Sequence, residues 1–446
     1  MTEVRQDLPR VALIGAGFGG LACAYELSQA GYCVDVFEAR NRIGGRVRTV
    51  QHFAPAQHVE FGAELIGANH PHWQRYAKQF GIELSSVDSE GPSSPRTILV
   101  DGRREPRELV EALEQEVDQG KADLSRQARQ VDWNEPWNSS DAERFDQMSA
   151  FDWMDSLKLS VRAKRVLTVE LELDMAVSLR RMNFLALLCT IQAHGGDAFW
   201  SDTESFRAKA GNQILASHLA AGIRGGALHL DCPIRAVTSN ATGVVVKTED
   251  GRELTYDDVV LAVPPSTWDK ITFVPSLPEG FQPQMGVATK FVTICVDDFW
   301  KLRQSPDALT DTLIGSTWEG PAAEEGGRRS LVAFAGGPIA EQLHSLPLAH
   351  QASSIRKTFD EVMPGYEAAH LKSEFVNWPS DPWARCGYSF PLPGQFLSQS
   401  RIFRQGIGNV YFAGEHASFG FPGYMEGALE SGVSLAQRLI KRDQQL

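Results

Sequence analysis

The chain holds only six cysteines, at positions 23, 33, 189, 232, 295 and 386, and no two have the close spacing of a zinc site. Their sparse scatter argues against a disulfide framework and for reduced thiols in a cytoplasmic protein. No run of about eighteen apolar residues occurs, so no membrane-spanning segment is expected. The opening Met-Thr-Glu-Val-Arg-Gln-Asp has no apolar core of a secretion signal, and the expectation is a soluble protein. Positive charge is also scarce. Lys and Arg number 43 against 56 Asp and Glu, a formal net charge of -13, which argues against nucleic acid and anionic membranes as partners. Internal repeats and low-complexity tracts are missing as well. What is present is ordinary for a globular protein: 43% hydrophobic and 22% charged residues. The 446 residues suffice for two or three domains at about 150 residues each.

Two distant segments carry most of the information. The first is Val11-Ala-Leu-Ile-Gly-Ala-Gly-Phe-Gly-Gly20. Val11 to Ile14 is a short apolar run, the mark of a strand buried on both faces. Gly15 permits a tight turn, Gly17 lets the backbone approach a diphosphate, and Gly20 lets the next helix pack against the strand. That helix, expected over Gly19 to Ala30, aims free N–H groups and a partial positive charge at the phosphates. A second strand, Cys33 to Glu38, ends in an acid roughly twenty residues on, placed to accept the ribose hydroxyls. The second segment runs from Val410-Tyr-Phe-Ala-Gly-Glu415 to Gly423-Tyr-Met-Glu-Gly-Ala-Leu-Glu-Ser-Gly432 and suits the flavin end of the same dinucleotide.

Between them the pattern changes. Residues 86 to 204 are polar and helix-rich, with helices expected around Pro106 to Asp118 and Ser160 to Glu172. Val244 to Lys247 and Glu253 to Tyr256 flank the turn Glu249-Asp-Gly-Arg252, a hairpin signal. Asp258 to Pro265 reads as a buried strand stopped by prolines, and Lys290 to Val296 as another strand. A final helix sets Met425, Ala428, Leu429, Gly432, Val433, Ala436, Leu439 and Ile440 on one face. The expected fold is therefore α/β. A doubly wound Rossmann-type dinucleotide domain, built from residues 1–85, 205–270 and 390–446, receives a mixed-sheet and helical α+β substrate domain of residues 86–204 and 271–389.

In Thr289-Lys-Phe-Val-Thr-Ile-Cys-Val296 the two-residue period puts Lys290 on one face with Val292, Ile294 and Val296. A lysine on an apolar face needs a partner or a cavity water.

Together with Arg42-Ile-Gly-Gly-Arg46, Phe206 to Asn212, Trp378 and Gly387-Tyr388, these motifs resemble the flavin monoamine oxidase family from Val11 to the last helix. That family includes monoamine, polyamine and L-amino acid oxidases. The resemblance implies FAD, held by Gly15, Gly17, Gly20, Glu38, Arg40, Gly45, Arg46, Gly62, Ala63, Glu64, Leu65, Val237, Gly414, Glu415 and Met425. It implies that Lys290 holds a water near flavin N5 and assists reaction of the reduced flavin with oxygen. Tyr388 and Tyr424 would face each other before the flavin, guiding the amine nitrogen, with Trp378 walling the ring. The expected reaction moves a hydride from the amine α-carbon to flavin N5; the imine hydrolyses, and O2 reoxidises the flavin to give H2O2.

Three departures bear on this. Relatives with covalent FAD attach it through a cysteine directly before the first tyrosine; Gly387 stands there and Cys386 is one residue early, so non-covalent FAD is expected. The apolar C-terminal membrane helix that mitochondrial members of that family carry is not expected here. L-amino acid oxidases place an arginine just after the Glu-x-Gly turn, and Glu60-Phe-Gly-Ala-Glu-Leu-Ile-Gly67 has none, leaving Arg180 or Arg181 as candidates. An L-amino acid oxidase with the same half-reactions is thus the alternative. A flavin-dependent desaturase is a further one, sharing the dinucleotide end without the lysine and paired tyrosines. A homodimer is allowed but not specified.

Overall fold

The computed structural model describes residues 8–54, 57–87, 95–302, 305–321 and 328–445. The opening heptapeptide read above for a secretion signal lies outside the described residues. A short apolar strand buried on both faces needs partners on both edges. β1 (Arg10–Ile14) has them, lying parallel between β2 (Cys33–Phe37) and β13 (Asp258–Leu261). With β9 (Leu228–His229) and β20 (Val410–Phe412) they form a five-stranded parallel sheet, ordered β20-β13-β1-β2-β9. The two ends of the chain and a middle piece thus meet in one sheet, and the α/β expectation holds.

α1 (Phe18–Gln29) follows β1 through the glycine turn. Gly15 has φ of +108°, and a Cβ there would lie 2.9 Å from the Ala262 carbonyl oxygen. A Cβ at Gly20 would lie 2.1 Å from the Gly15 oxygen, so only glycine lets the helix come this close. α14 (Met425–Asp443) packs along α1, where Gly432 would meet the Gly19 oxygen at 2.3 Å if it carried a Cβ. α2 (Pro71–Phe80) starts on α14: the buried Glu426 carboxylate accepts the N–H groups of His72 at 2.9 Å and Trp73 at 3.0 Å. These are N–H groups a helix start leaves without intrahelical partners.

The hairpin signal is met by β11 (Gly243–Thr248) and β12 (Glu253–Tyr256). They join β10 (Ile234–Asn240) and β14 (Thr272–Val274) in a second sheet. β14 pairs in parallel with β10, so this ladder crosses the boundary expected at residue 270.

The third sheet has seven strands ordered β19-β15-β18-β17-β16-β6-β7. They are β6 (Thr97–Val100), β7 (Arg103–Arg104), β15 (Ala288–Cys295), β16 (Ala308–Thr310), β17 (Ser316–Glu319), β18 (Arg329–Gly336) and β19 (His370–Asn377). It is mixed: β16 runs parallel to β6 and antiparallel to β17. Two ribbons complete the strands, β3 (Thr49–Ala54) with β4 (Gln57–Glu60), and β5 (Leu84–Ser86) with β8 (Phe206–Ala208).

Helices fill the sequence between β7 and β8. They are α3 (Arg107–Ala128), α4 (Ala142–Gln147), α5 (Ala150–Ser156), α6 (Val161–Met175), α7 (Phe184–Ala193) and α8 (Phe199–Asp202). α3 runs ten residues past its expected end at Asp118, because Leu124 and Ala128 continue the buried stripe of Val110, Leu113 and Val117. α6 starts at Ser160, whose hydroxyl accepts the Ala163 N–H at 3.1 Å. α9 (Ile214–Ala221) follows β8; α10 (Gly337–Ser345), α11 (Leu348–Val362) and α12 (Tyr366–Ala369) lie between β18 and β19; α13 (Phe396–Gln405) precedes β20. No helix among the described residues is long and apolar enough to cross a membrane.

β15 ends at Cys295, and Val296 is 48% exposed beyond it. Lys290 therefore shares its face with Ala288, Val292 and Ile294, of which Val292 and Ile294 pack on Phe53, Val59 and Phe61.

Candidate active site

A cavity of about 730 Å³ begins at the carboxyl ends of β1 and β2 and runs beneath the seven-stranded sheet. This is the crevice where parallel α/β sheets bind ligands. At its near end lie Gly15, Gly17, Glu38, Arg40, Gly45 and Arg46. A Cβ at Gly17 would come no nearer than 4.0 Å to the protein, at the Cα of Gly45. No side chain caps α1, so its first N–H groups face open space fit for a diphosphate. Glu38 is 4% exposed; its carboxylate accepts the Ala16 N–H at 2.8 Å and the Arg40 N–H at 2.9 Å. Arg40 also bonds Asp381 at 2.5 Å. Gly20 lies behind the lining, as its packing role requires. Val237 does not line the cavity either: it is a buried residue of β10, flanked by β11 and β14.

Arg46 donates to the Gly387 carbonyl and to Glu415, each at 2.8 Å. Both Glu415 oxygens are already engaged, the second by the Ser389 hydroxyl at 2.6 Å and the Gly423 N–H at 2.8 Å. The carboxylate expected among the cofactor ligands thus braces Arg46 and the loops carrying both tyrosines. Burial alone would raise the Glu415 carboxyl; the Arg46 charge and these hydrogen bonds hold it below its ordinary value. Gly414 and Met425 line the wall beside it, and α14 starts there without a side-chain cap.

Lys290 has the partner its apolar face demanded. Its Nζ is 2.5 Å from a Glu64 oxygen and 3.1 Å from the Gly62 carbonyl. Glu64 also accepts from Arg207 Nε at 2.9 Å and Trp318 Nε1 at 3.1 Å. Burial would raise this carboxyl, but Lys290 and Arg207 override it and hold it at about 2. The Glu64 side chain, expected among the cofactor ligands, is therefore an anchor for Lys290. Gly62, Ala63 and Leu65 line the same wall. Trp378 lines it too, its indole N–H donating to the Phe61 carbonyl at 3.0 Å.

Tyr388 and Tyr424 both face the cavity. The Tyr388 ring stacks on Phe334 at 6.5 Å, and its hydroxyl donates to the Asp174 carbonyl at 2.8 Å. Tyr424 leans on His194 at 4.7 Å. Gly423 has φ of +85°, and a Cβ there would meet Tyr388 Cδ2 at 2.7 Å, so glycine lets one tyrosine lie against the loop carrying the other. Burial, then Asp174 and Glu204, push both phenols well above their ordinary range, so both stay neutral.

Some expectations fell elsewhere. Arg180 and Arg181 do not line the cavity: Arg180 is exposed over the Phe151 ring, and Arg181 lies 3.6 Å from Glu341 at the surface. Cys386 is buried behind the Gly387 wall, 3.4 Å from the Ser266 hydroxyl. Conversely, Arg96, Lys121, Glu170, Asp174, Glu204 and Arg207 line the far end and were not anticipated. One signal existed: Glu170 and Asp174 stand four apart on α6, whose neighbouring positions Val166, Leu167, Leu171 and Leu173 are buried and apolar.

Comparison with known proteins agrees with this geometry. The family described as "Flavin containing amine oxidoreductase" matches residues 18–440. Amine oxidase [flavin-containing] A of Sus scrofa is 26% identical over 456 residues, 96% of this chain and 84% of that protein. Amine oxidase [flavin-containing] B of Homo sapiens is 25% identical over 458 residues, covering 96% and 86%. Among solved structures, a double mutant of putrescine oxidase superposes with a TM-score of 0.85 at 22% identity, covering 98% of this chain and 99% of the other. Cyclohexylamine oxidase from Brevibacterium oxydans gives 0.85 at 23% identity, covering 97% and 99%. The open cradle at Gly17 and the uncapped starts of α1 and α14 suit the diphosphate and ring of FAD. The chain belongs to the flavin-containing amine oxidoreductases and is an FAD-dependent enzyme that oxidises an amine.

Proposed function

We propose that the protein carries out oxidative deamination of an amine with O2 as final acceptor and H2O2 as product. The observation that carries this is the convergence of Lys290, Tyr388 and Tyr424 on the cavity that begins at the glycine turn. Bound FAD supplies the hydride acceptor and the site of reaction with O2. The chain's residues hold and shield the amine. The two ring faces attract an amine nitrogen and its cationic encounter form. Positioning needs no protein base, and the neutral phenols would not take a proton from the substrate. Lys290, held by Glu64 and Gly62, places a fixed cation on the cavity wall, and in this reading that charge serves the oxygen step.

Gly15, Gly17, Glu38 and Arg40 hold the adenosine and diphosphate end, and Arg46, Gly414 and Met425 the flavin end, in a dinucleotide domain distinct from the substrate domain. FAD is bound non-covalently, a reading supported by the absence of Cys386 from the cavity lining. The six free, unpaired cysteines support a cytoplasmic setting. The amino acid alternative is disfavoured. Arg180 and Arg181 lie away from the cavity, and the cavity's Arg96, Lys121 and Arg207 are each paired with an acid. The likeness to a putrescine oxidase with putrescine bound and to a cyclohexylamine oxidase supports an amine as ligand.

The test is anaerobic mixing of the FAD-loaded protein with a panel of amines and L-amino acids, followed by admission of air. Bleaching of the flavin by amines, then peroxide on reoxidation, is expected. Bleaching by amino acids alone would transfer the assignment to the alternative.

A further inference from the structure

Lys290 does not stand alone as a cation. It is one end of a buried chain of three charges, Lys290, Glu64 and Arg207. One Glu64 oxygen takes Lys290 Nζ at 2.5 Å; the other takes Arg207 Nε at 2.9 Å and Trp318 Nε1 at 3.1 Å. Arg207 reaches this carboxylate from β8 and is fixed in turn on the seven-stranded sheet, where it donates to the Glu319 carbonyl of β17 at 2.9 Å. A lysine ammonium on its flexible four-carbon stem is only as fixed as the carboxylate that holds it. Arg207 and Trp318 fix that carboxylate, and of the two only Arg207 carries charge.

Charge gives Arg207 a second importance. Glu64, held at about 2, is ionised near neutral pH, so Lys290 and Glu64 together form a neutral pair. The field of such a pair falls off faster with distance than that of a single charge. Arg207 makes the count two positive charges against one negative. The other acids near this cluster are Glu60, Glu204 and Asp307. Burial pushes all three up, Glu60 and Glu204 to about 7. Below neutral pH Glu60 and Glu204 are therefore largely protonated and do not cancel the surplus.

We propose that Arg207 is a positioning residue for the oxygen step: it fixes Lys290 through Glu64 and supplies the positive charge that Glu64 would otherwise cancel. This rests on the oxidase reading above, in which O2 takes two electrons and a proton from the reduced flavin and a second proton from solvent, and leaves as H2O2. Negative charge develops on oxygen in that step, and a net cation in an enclosed site favours it.

The test uses no amine. The flavin of the FAD-loaded protein is reduced photochemically at mildly acid pH and mixed with aerated buffer, and its midpoint potential is measured in the same variants. Arg207→Met should slow reoxidation by about ten- to a hundredfold, short of the roughly hundred- to thousandfold cost of losing a direct oxyanion donor, because Arg207 acts through Glu64. It should also lower the potential, since reduction adds negative charge that the lost cation favoured. Arg207→Lys should restore most of both, and Glu64→Gln should raise the potential by removing a negative charge. A merely structural role would move the potential the same way in Arg207→Met and Glu64→Gln and leave Arg207→Lys as impaired as Arg207→Met; either result overturns the proposal. Should one of these two variants lose FAD, the other decides: a fall is required of Arg207→Met and a rise of Glu64→Gln. Reoxidation of Arg207→Met at the wild-type rate overturns the role of Arg207 and leaves amine oxidation standing, whereas a wild type that no amine reduces would overturn the amine reading itself.

Discussion

Lys290 has a structural task, to which the proposed function adds a chemical one. It is 5% exposed on an apolar strand face, and its ion pair with Glu64 is the reason the fold tolerates it there. If its charge serves the oxygen step, Lys290→Met should slow reoxidation of reduced flavin more than reduction by the amine. Stopped-flow measurement of the two half-reactions separates them, and equal reoxidation rates would leave the lysine a purely structural residue. Arg207 and Trp318 still hold Glu64 in the variant, so a fall in Tm reports the lost ion pair separately from the kinetics. Tyr424 makes a complementary case. A ring face attracts the amine, so Tyr424→Phe should be mild and Tyr424→Ala severe. A cation–π and packing contribution of about 0.5 to 2 kcal/mol corresponds to losses of up to about thirtyfold in kcat/KM. A core tyrosine would behave the other way round, losing Tm with little kinetic change.

At the scale of elements, single buried carboxylates join segments far apart in the chain. Glu426 of α14 starts α2, Glu415 of the β20 turn braces Arg46 and both tyrosine loops, and Glu60 of β4 ties β3 to the turn before α9. Glu60 gives this a pH signature. Burial raises its carboxyl from 4.5 to about 7, although the Asn212 N–H, Lys290 and Thr49 act against the rise. The folded form therefore binds the proton more tightly than the unfolded chain. Stability from this group is full below the unfolded value and is lost as pH rises from 4.5 towards about 7. With saturating FAD, Tm should decline across that window, and Glu60→Gln should flatten the decline. Identical slopes in the two proteins would remove Glu60 as its source.

For the whole molecule, the central question is how the two ends of the chain hold one cofactor. In the proposed site the β1 turn, the β20 turn and the packed pair α1 and α14 would enclose it, and no thiol lines the cavity among the described residues. The purified protein should be yellow, and acid precipitation should release the colour into the supernatant. A pellet that stays yellow would show a covalent flavin and bring Cys386 into the site.

Local chemistry made much of this legible in the amino-acid order. The glycines of the first turn, the acid ending β2, the hairpin and the apolar face of α14 are properties of neighbouring residues, and periodicity displays them. Lys290 was legible as a misfit, a charge on an apolar strand face. Its answer, Glu64, lies 226 residues away in sequence, and only tertiary structure brings the pair to 2.5 Å. The same holds for Glu415, expected among the cofactor ligands, which Arg46, Ser389 and Gly423 hold from three separate segments. Arg180 and Arg181 were reasonable candidates by residue type, but a side chain's direction depends on how its helix packs. Glu204 sits in a polar, helix-rich stretch where solvated acids and cavity acids look alike, whereas Asp174 had one signal, its four-residue spacing from Glu170 on α6. Sequence alone pointed to a chain that binds a dinucleotide and placed its first turn, its hairpin and its last helix. Tertiary structure decided which charges are cancelled and which remain free in the cavity, because pairing depends on distances in space that residue order does not encode.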